Sequence, residues 1–595
     1  MVRGGASTLA VALTICCAAM CSASGALRAA EPVDLSPARW PADDLQRCTQ
    51  QMQLYGADKP LAEGSSGVVA GTTSPLAIRA GLEALKQGGT AADAVVATSL
   101  AQITLAGGAW VSYAGIYALV YFDAESGEVQ CLNAGFNAVR AETDPSSIPL
   151  SEGPDARPSG RTAMVPGYMA GVEATHERFG KLPFDELLSP AIYFAEQGFE
   201  FTPLNEAQLM LRGEVLSRLP ETKAIFTKAD GTFYRRGEVF RQPALARTLR
   251  AVAEQGAAYM YTCRWAERMV EAVQRDGGKL ALEDLKRYEP IWNAPARARV
   301  GEFEVCAPGP PAHGGVDLVE ALNIMAAAGL PDMGDYRESA EAFFWLNQIS
   351  DVAVLSHLEP STLKAIFPGD PPTLAERMTP EHADNMWQRM RAGEFLLTKT
   401  PDSGGDRHSD AIVAVDRWGN VASVVHMINT NTWGATGIFV DGVSIPDAAG
   451  FQQNAIQTAG PGNRLADPME PLVVLRSGRP VYALSSIGVG LHQKTLATLV
   501  NLLAAGRGLK PSVDAPSMHL PRHDATGAKT VLISEGDFAH QLLRDAKRMG
   551  LALDVLPAAN RAVPRGYIVG AAMEPNTGLR QAVGSKFFNA LPLGY

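Results

Sequence analysis

Asp402-Ser-Gly-Gly-Asp-Arg-His-Ser409-Asp-Ala-Ile-Val-Ala-Val415-Asp-Arg-Trp-Gly-Asn420-Val-Ala-Ser-Val-Val-His-Met-Ile-Asn429-Thr430 carries the architecture of this chain. Ala411–Val415 and Val421–Ile428 are β-rich, and Asp416-Arg-Trp-Gly-Asn420 between them supplies the turn of a hairpin. Ahead of the hairpin lies a segment from 360 to 408, rich in Pro, Asp, Gly and Thr, which reads as an exposed linker or loop. Ser409 thus stands at the start of a buried-looking hairpin, and Asn429 at the end of its second strand. If the peptide bond between His408 and Ser409 were broken, Ser409 would carry both a hydroxyl nucleophile and a free α-amine. Such an amine has an unperturbed pKa of about 7.7–8.0, so near neutral pH it can accept the hydroxyl proton. Before cleavage, the same hydroxyl can attack the preceding carbonyl and rearrange the amide to an ester that water hydrolyses.

Upstream, Gly67-Val-Val-Ala-Gly71 reads as a short strand and Thr72-Thr-Ser-Pro75 as the start of a helix through Leu76–Leu85, stopped by Gly88-Gly89. A second helix from Ala91 to about Ile103 is apolar on nearly every face, which predicts burial on several sides. Tyr113–Phe122 and Glu128–Leu132 read as another hairpin, and the stretch from about 165 to 300 as mostly helical. Pro308-Gly-Pro-Pro-Ala-His-Gly-Gly315 breaks the chain before a helix over Val316–Ala327. Downstream, Leu472–Leu475 and Val481–Ser485 form a strand pair, and the loop Ser485-Ser-Ile-Gly-Val-Gly490 runs into a helix from about Gln493 to Leu503. No internal repeat is present, and the order of elements predicts sheets sandwiched between helical layers.

The chain has 595 residues, 46% hydrophobic and 19% charged, enough to bury a large core. Its length suggests roughly three to four domain-sized units, or one interleaved domain. With 52 Lys+Arg against 63 Asp+Glu the formal net charge is −11, the wrong sign for a protein that neutralises phosphates, so nucleic acid is not an expected partner. Residues 1–30 read as a signal peptide: Arg3, an apolar core over Leu9–Met20, then small residues, with a retained anchor as the alternative. The expected location is therefore exported, periplasmic or secreted, without stable membrane insertion after processing. Beyond this leader remain Cys48, Cys131, Cys263 and Cys306, with no C-x-x-C pair; one or two disulfides and four free thiols are both open. There is no H-E-x-x-H, no G-x-S-x-G, no P-loop and no helix-opening G-x-G-x-x-G, so neither a metal nor a cofactor is expected.

Several segments together resemble the γ-glutamyltranspeptidase family. They are Val165-Pro-Gly-Tyr168, His176-Glu-Arg-Phe-Gly-Lys-Leu-Pro183, Gln197-Gly-Phe199, Gly88-Gly89 with Ala91-Ala-Asp-Ala94, Gln242–Leu249 and Asp276-Gly-Gly278. Later come Val415-Asp416, Gly419-Asn420, Ile428-Asn-Thr430, Gly437-Ile438, Val513-Asp-Ala-Pro516 and the 485–490 loop. The resemblance covers about residues 65 to 595. It implies a four-layer αββα sandwich of the N-terminal-nucleophile hydrolase type, α+β in class, made as a precursor that cuts itself. The large-subunit region would be 31–408 and the small-subunit region 409–595, held together as a heterodimer and interleaved in one αββα unit.

Counting from Asp416, the family's nucleophilic Thr falls on Ser409, so the implied cleavage site is His408/Ser409. Asn429 matches the Asn that orients the nucleophile, and Gly488 with Val489 the oxyanion loop, where backbone N–H groups do the work. Asp447, Asp467 and Ser486 fall among the implied substrate-binding positions. The departures lie there too. Asn133-Ala-Gly-Phe-Asn137 stands where an Arg clamps the γ-glutamyl α-carboxylate, and Ala466-Asp-Pro468 replaces a supporting Ser pair. Asp410, Ala411 and Met427 replace Thr, His and Thr. Arg140 or Arg464 is a substitute anchor. The implied function is cleavage of γ-glutamyl or related amides, including hydrophobic acyl groups suited to Phe136 and Trp433, through an acyl-enzyme at Ser409. The alternative is an unprocessed, inactive exported binding protein with the same fold.

Overall fold

A computed structural model describes Met1 and residues 32–153, 156–358, 360–367, 369–394, 407–524, 528–557 and 565–595, with the side chains of 407 and 408 excepted. The chain divides into Met1–Val33 and Asp34–Tyr595. The segment read as a signal peptide lies, apart from Met1, outside the described residues. Among the described residues no helix is long and apolar enough to cross a membrane.

The second unit is built on two seven-stranded sheets. Its strands are β1 (Ala62–Gly64), β2 (Val68–Gly71), β3 (Ile116–Asp123), β4 (Glu128–Ala134), β5 (Ile291–Asn293), β6 (Ala296–Val300), β7 (Phe303–Ala307), β8 (Arg407–Val415), β9 (Val421–Asn431), β10 (Leu472–Arg476), β11 (Arg479–Ile487), β12 (Tyr567–Met573), β13 (Arg580–Val583) and β14 (Leu593–Gly594). One sheet runs β14-β2-β8-β9-β3-β4-β5 and the other β1-β13-β12-β11-β10-β7-β6. All pairings within these two sheets are antiparallel.

Period-two alternation decides which side chains meet between the sheets. Ala411, Val413 and Val415 of β8 pack with Val425 and Met427 of β9 against Val473, Ala483, Ile487 and Val569 of the facing sheet. The opposite face of the first sheet is covered by α1 (Pro75–Lys86), α2 (Ala91–Ala106) and α3 (Tyr168–Phe179), with α4 (Phe184–Gln197) packed outside them on α2. The opposite face of the second carries α5 (Gly314–Ala328), α6 (Ala340–Ile349), α7 (Pro380–Arg391), α8 (Leu491–Leu499) and α9 (His540–Arg548) around a second apolar core. The result is the expected αββα sandwich, with regions on both sides of Ser409 interleaved in each sheet.

Local chemistry explains the central elements. Thr90 and Asp93 form a capping box at the start of α2, with Thr90 N–H donating to Asp93 Oδ2 at 2.8 Å, and all sixteen residues of the helix are buried. Asp416 holds the hairpin turn by accepting from the N–H groups of Trp418 (2.9 Å) and Asn420 (3.0 Å), and it also accepts from Ala91 N–H (2.9 Å). One carboxylate thereby ties the β8–β9 turn to the first turn of α2. Pro480 enters the central strand β11 beside a register shift at Val474/Leu475, where the ladder is already interrupted.

One expectation needs correction. The 360–408 segment is no continuous loop: it contains helices at Pro360–Ile366, Leu374–Arg377 and Pro380–Arg391. Thr373 forms a capping box with Glu376, and Thr379 caps a helix that has Pro at its first turn. The stretch from about 165 to 300 is mostly helical, as expected, and its last residues enter β5 and β6. Finally, Cys48, Cys131, Cys263 and Cys306 are all unbonded thiols.

Candidate active site

Ser409 lies in β8, where a register shift between Arg407 and Ser409 interrupts the pairing with β9. Alternation from Ala411 turns its side chain to the inter-sheet face, and it is 3% exposed. Its cross-strand partner is Met427. Two residues beyond Met427, Asn429 has a left-handed backbone (φ 49°) inside the strand. Asn tolerates that conformation better than branched or bulky residues, and the turn redirects the strand end next to Ser409.

The facing sheet is tied to this spot by side chains. Ser423 Oγ donates to Leu484 O and Ser485 Oγ donates to Val424 O, each at 2.7 Å. Three residues further along the two strands stand Met427, the partner of Ser409, and Gly488. The cross-sheet bonds thus carry the end of β11 toward the Ser409 end of the hairpin. Gly488 has φ 87°, and a Cβ there would meet Arg565 O at 2.6 Å. Only Gly fits both restraints. Gly488 and Val489 lead into α8, so their amides sit at the positive end of that helix.

The remaining expected positions are largely engaged by the protein itself. Asp447 is fully buried, accepting from Thr430 Oγ1 at 2.5 Å and from Ala435 N–H at 2.7 Å, which ties down the loop after β9. Ser486 Oγ pairs with Thr495 Oγ1 at 2.6 Å, stitching β11 to α8. Asp467 accepts from Asn133 Nδ2 at 2.8 Å and Met469 N–H at 3.1 Å, and burial pushes its carboxyl pKa up. The side chain of His408 is outside the described residues. Phe136 is buried between the sheets, and Trp433, also buried, donates Nε1–H to Gly107 O.

Of the two substitute anchors, Arg140 is exposed. Arg464, 331 residues from Asn133 in sequence, places its guanidinium on the Asn133–Asn137 segment: Nε donates to Asn137 Oδ1 (2.6 Å) and Nη1 to Asn133 O (2.7 Å) and Oδ1 (2.6 Å). Nη2 donates to Glu289 O (2.7 Å), and the plane stacks on Tyr288. A cation does occupy the neighbourhood where the sequence lacks one, but every nitrogen already serves a protein acceptor. Gly135 lies against both Arg464 and Asp467.

Sequence reasoning overlooked the other face of β8. Asp410 is completely buried, accepting from Thr72 and Thr73 hydroxyls at 2.8 Å each and from Trp110 Nε1–H at 3.0 Å. Burial raises its pKa to about 7 against those hydrogen bonds. Its cross-strand neighbour His426 donates Nε2–H to Gln102 Oε1 at 2.9 Å, and burial lowers its pKa to about 3, keeping the ring neutral. A lone carboxylate at a buried parity of a strand was the available signal.

Among the described residues no group of His, Cys, Asp and Glu is arranged to hold a metal ion. The family model described as gamma-glutamyltranspeptidase matches residues 77–563. The chain is 25% identical over 496 residues to the glutathione hydrolase proenzyme of Pseudomonas sp. (strain A14), covering 78% of this chain and 83% of that one. It is 26% identical over 486 residues to the acylase ACY 1 proenzyme of Pseudomonas sp. (strain SE83), covering 78% and 84%. The crystal structure of cephalosporin acylase from Bacillus halodurans superposes with a TM-score of 0.73 at 21% identity, covering 90% of this chain and 97% of that one, a likeness of fold. The chain therefore belongs to the γ-glutamyltranspeptidase family and is an enzyme of the N-terminal-nucleophile hydrolase type.

Proposed function

We propose that this chain is an exported precursor that breaks its own His408–Ser409 bond and then uses Ser409 to cleave small-molecule amides through an acyl-enzyme. The supporting observation is the position of Ser409, buried on the inter-sheet face of β8 with the Gly488 loop drawn toward it by two cross-sheet hydrogen bonds. In the first step the Ser409 hydroxyl attacks the His408 carbonyl, the amide becomes an ester, and water hydrolyses it. Ser409 is then the first residue of a fragment spanning 409–595, and residues 31–408 form the larger fragment.

In turnover the freed α-amine takes the hydroxyl proton as Oγ attacks the substrate carbonyl. The N–H groups of Gly488 and Val489 receive the developing oxyanion, and Asn429 orients the reacting groups. The amine leaves with a proton, and water or a second amine removes the acyl group. Gly488→Ala, whose added Cβ displaces the loop from Arg565 O, should lower kcat by about 10²–10³ with a smaller change in KM. Steady-state kinetics on the processed variant measure this split.

The substrate class includes γ-glutamyl compounds and related amides. The engagement of Arg464 by Asn133, Asn137 and Glu289, with the Asp467 carboxylate close by, favours acyl groups that carry no α-carboxylate. Intact mass of the purified protein under denaturing conditions tests the core of this reading. Two fragments, the smaller beginning at Ser409, and hydrolysis of an uncharged acyl p-nitroanilide at least as fast as γ-glutamyl-p-nitroanilide are expected. A single uncut chain would overturn it in favour of a silent binding protein of the same fold.

A further inference from the structure

Ser409 and Asp410 point to opposite faces of one strand, so Asp410 cannot touch what Ser409 touches. Its carboxylate instead fixes the main chain behind the nucleophile. Thr72 is the link: its hydroxyl donates to Asp410 Oδ1 and accepts from Ala411 N–H at 3.0 Å, while its own N–H donates to Ala411 O at 3.0 Å. Thr73 grips the same oxygen and Trp110 the other, and Gln102 Nε2 holds Thr73 O at 3.2 Å. Residues 72 and 73 lie in the turn between β2 and α1, 102 in α2 and 110 in the loop after α2, so three parts of the chain support one side chain adjacent to Ser409.

We propose that Asp410 is the positioning residue for Ser409, a carboxylate clamp that sets the geometry of self-processing; this rests on the function proposed above. Chain ends fray unless tied down, and cleavage turns Ser409 into a chain end. The clamp is complete when the carboxylate is ionised, because both oxygens then only accept. Trp110 Nε1–H cannot reverse its role on Oδ2, so a proton settles on Oδ1, where a threonine hydroxyl must turn from donor to acceptor and the clamp loses a donated hydrogen bond. Self-processing should therefore accelerate as pH rises through the range near 7 where Asp410 ionises. The described titratable groups that face it are His426 across the strand pair and Tyr55; burial keeps the first neutral and pushes the second far above its ordinary value. Neither changes charge between pH 5 and 9. No free Ser409 amine exists before cleavage, so that group does not enter the profile.

The test uses the full chain made by cell-free synthesis, with His408→Gln in every sample to remove the neighbouring imidazole. Fragment appearance is followed between pH 5 and 9. The parent should process faster with rising pH, with an inflection near neutral, and Asp410→Asn should process at least tenfold more slowly with no inflection. Thr72→Ser should process like the parent and Thr72→Val like Asp410→Asn. If Asp410→Asn fails to fold, the Thr72 pair decides. Equal rates and equal profiles in parent and variants would overturn the clamp while leaving the proposed function intact. A parent that never processes would overturn both.

Discussion

Ser409→Ala should remain one uncut chain and lose about 10⁴-fold or more in amide turnover, read by intact mass and by p-nitroanilide hydrolysis. The size of the loss follows from what one residue is asked to do. In the proposed function its Oγ opens the precursor, its amine becomes the base, and the same Oγ then carries the acyl group. Removing the hydroxyl blocks the first step, so the base never forms, and the two losses cannot be separated in the variant. The fold should survive, because Ser409 is a small buried side chain at a strand that is held from its other face by Asp410. Circular dichroism and a urea midpoint close to the parent's establish that. Ser409→Thr keeps the hydroxyl and adds one methyl group beside Met427, and β-branched residues suit a strand. It should still yield two fragments.

The hairpin was legible in the sequence because its evidence is local: alternating apolar residues on both sides of a Gly-Asn corner whose Asp416 closes the turn. The all-round apolar surface of α2 was legible for the same reason. The helices between 360 and 394 were hidden by composition. Pro and Thr there read as loop formers, although Thr373 with Glu376 and Thr379 with Pro380 are helix starts, and short helices of this kind stand mainly through tertiary contacts. Distance in sequence hid the rest. Asp410 finds Thr72 and Thr73 338 and 337 residues away, and Arg464 reaches Asn133 across 331. Asp467 and Asp447 read as substrate-binding groups, and the sequence did not show their protein partners: Asn133 and Met469 for the first, Thr430 and Ala435 for the second.

Arg377→Ala should cost about 3–5 kcal/mol in stability, the largest effect expected away from Ser409. Arg377 is 4% exposed and lies between two fully buried carboxylates of α5: Nη2 donates to Asp317 Oδ1 at 2.6 Å and Nε to Glu320 Oε2 at 2.7 Å. Nη1 donates to Ser356 Oγ at 2.7 Å. His313 pairs with Asp317 at 2.9 Å and His382 with Glu320 at 2.6 Å, so the cluster spans the start of α5, α7 and the 350–357 turn. Burial alone would raise the pKa of Asp317, but the Arg377 charge and the His313 hydrogen bond outweigh it and hold it at about 2. A carboxyl whose pKa is lowered by folding stabilises the folded state above its unfolded pKa, and that contribution is lost as pH falls from about 3.9 toward 2. Truncating Arg377 leaves two buried carboxylates without the guanidinium they share, which is where the energy goes, and it weakens this acid-side dependence of the urea midpoint. Neutralising the carboxylates as well, in Arg377→Met with Asp317→Asn and Glu320→Gln, should recover most of the loss. Activity should suffer too in the single variant. The N–H groups of His313 and Gly314, at the start of the helix that bears Asp317, both donate to Asp467 O, so a shift of α5 moves the loop that holds Arg464 and Asp467. A rise in KM larger than the fall in kcat in Arg377→Ala is the signature expected of that path, because in the proposed function this loop belongs to the substrate-binding side while Ser409 and Gly488 stay in place.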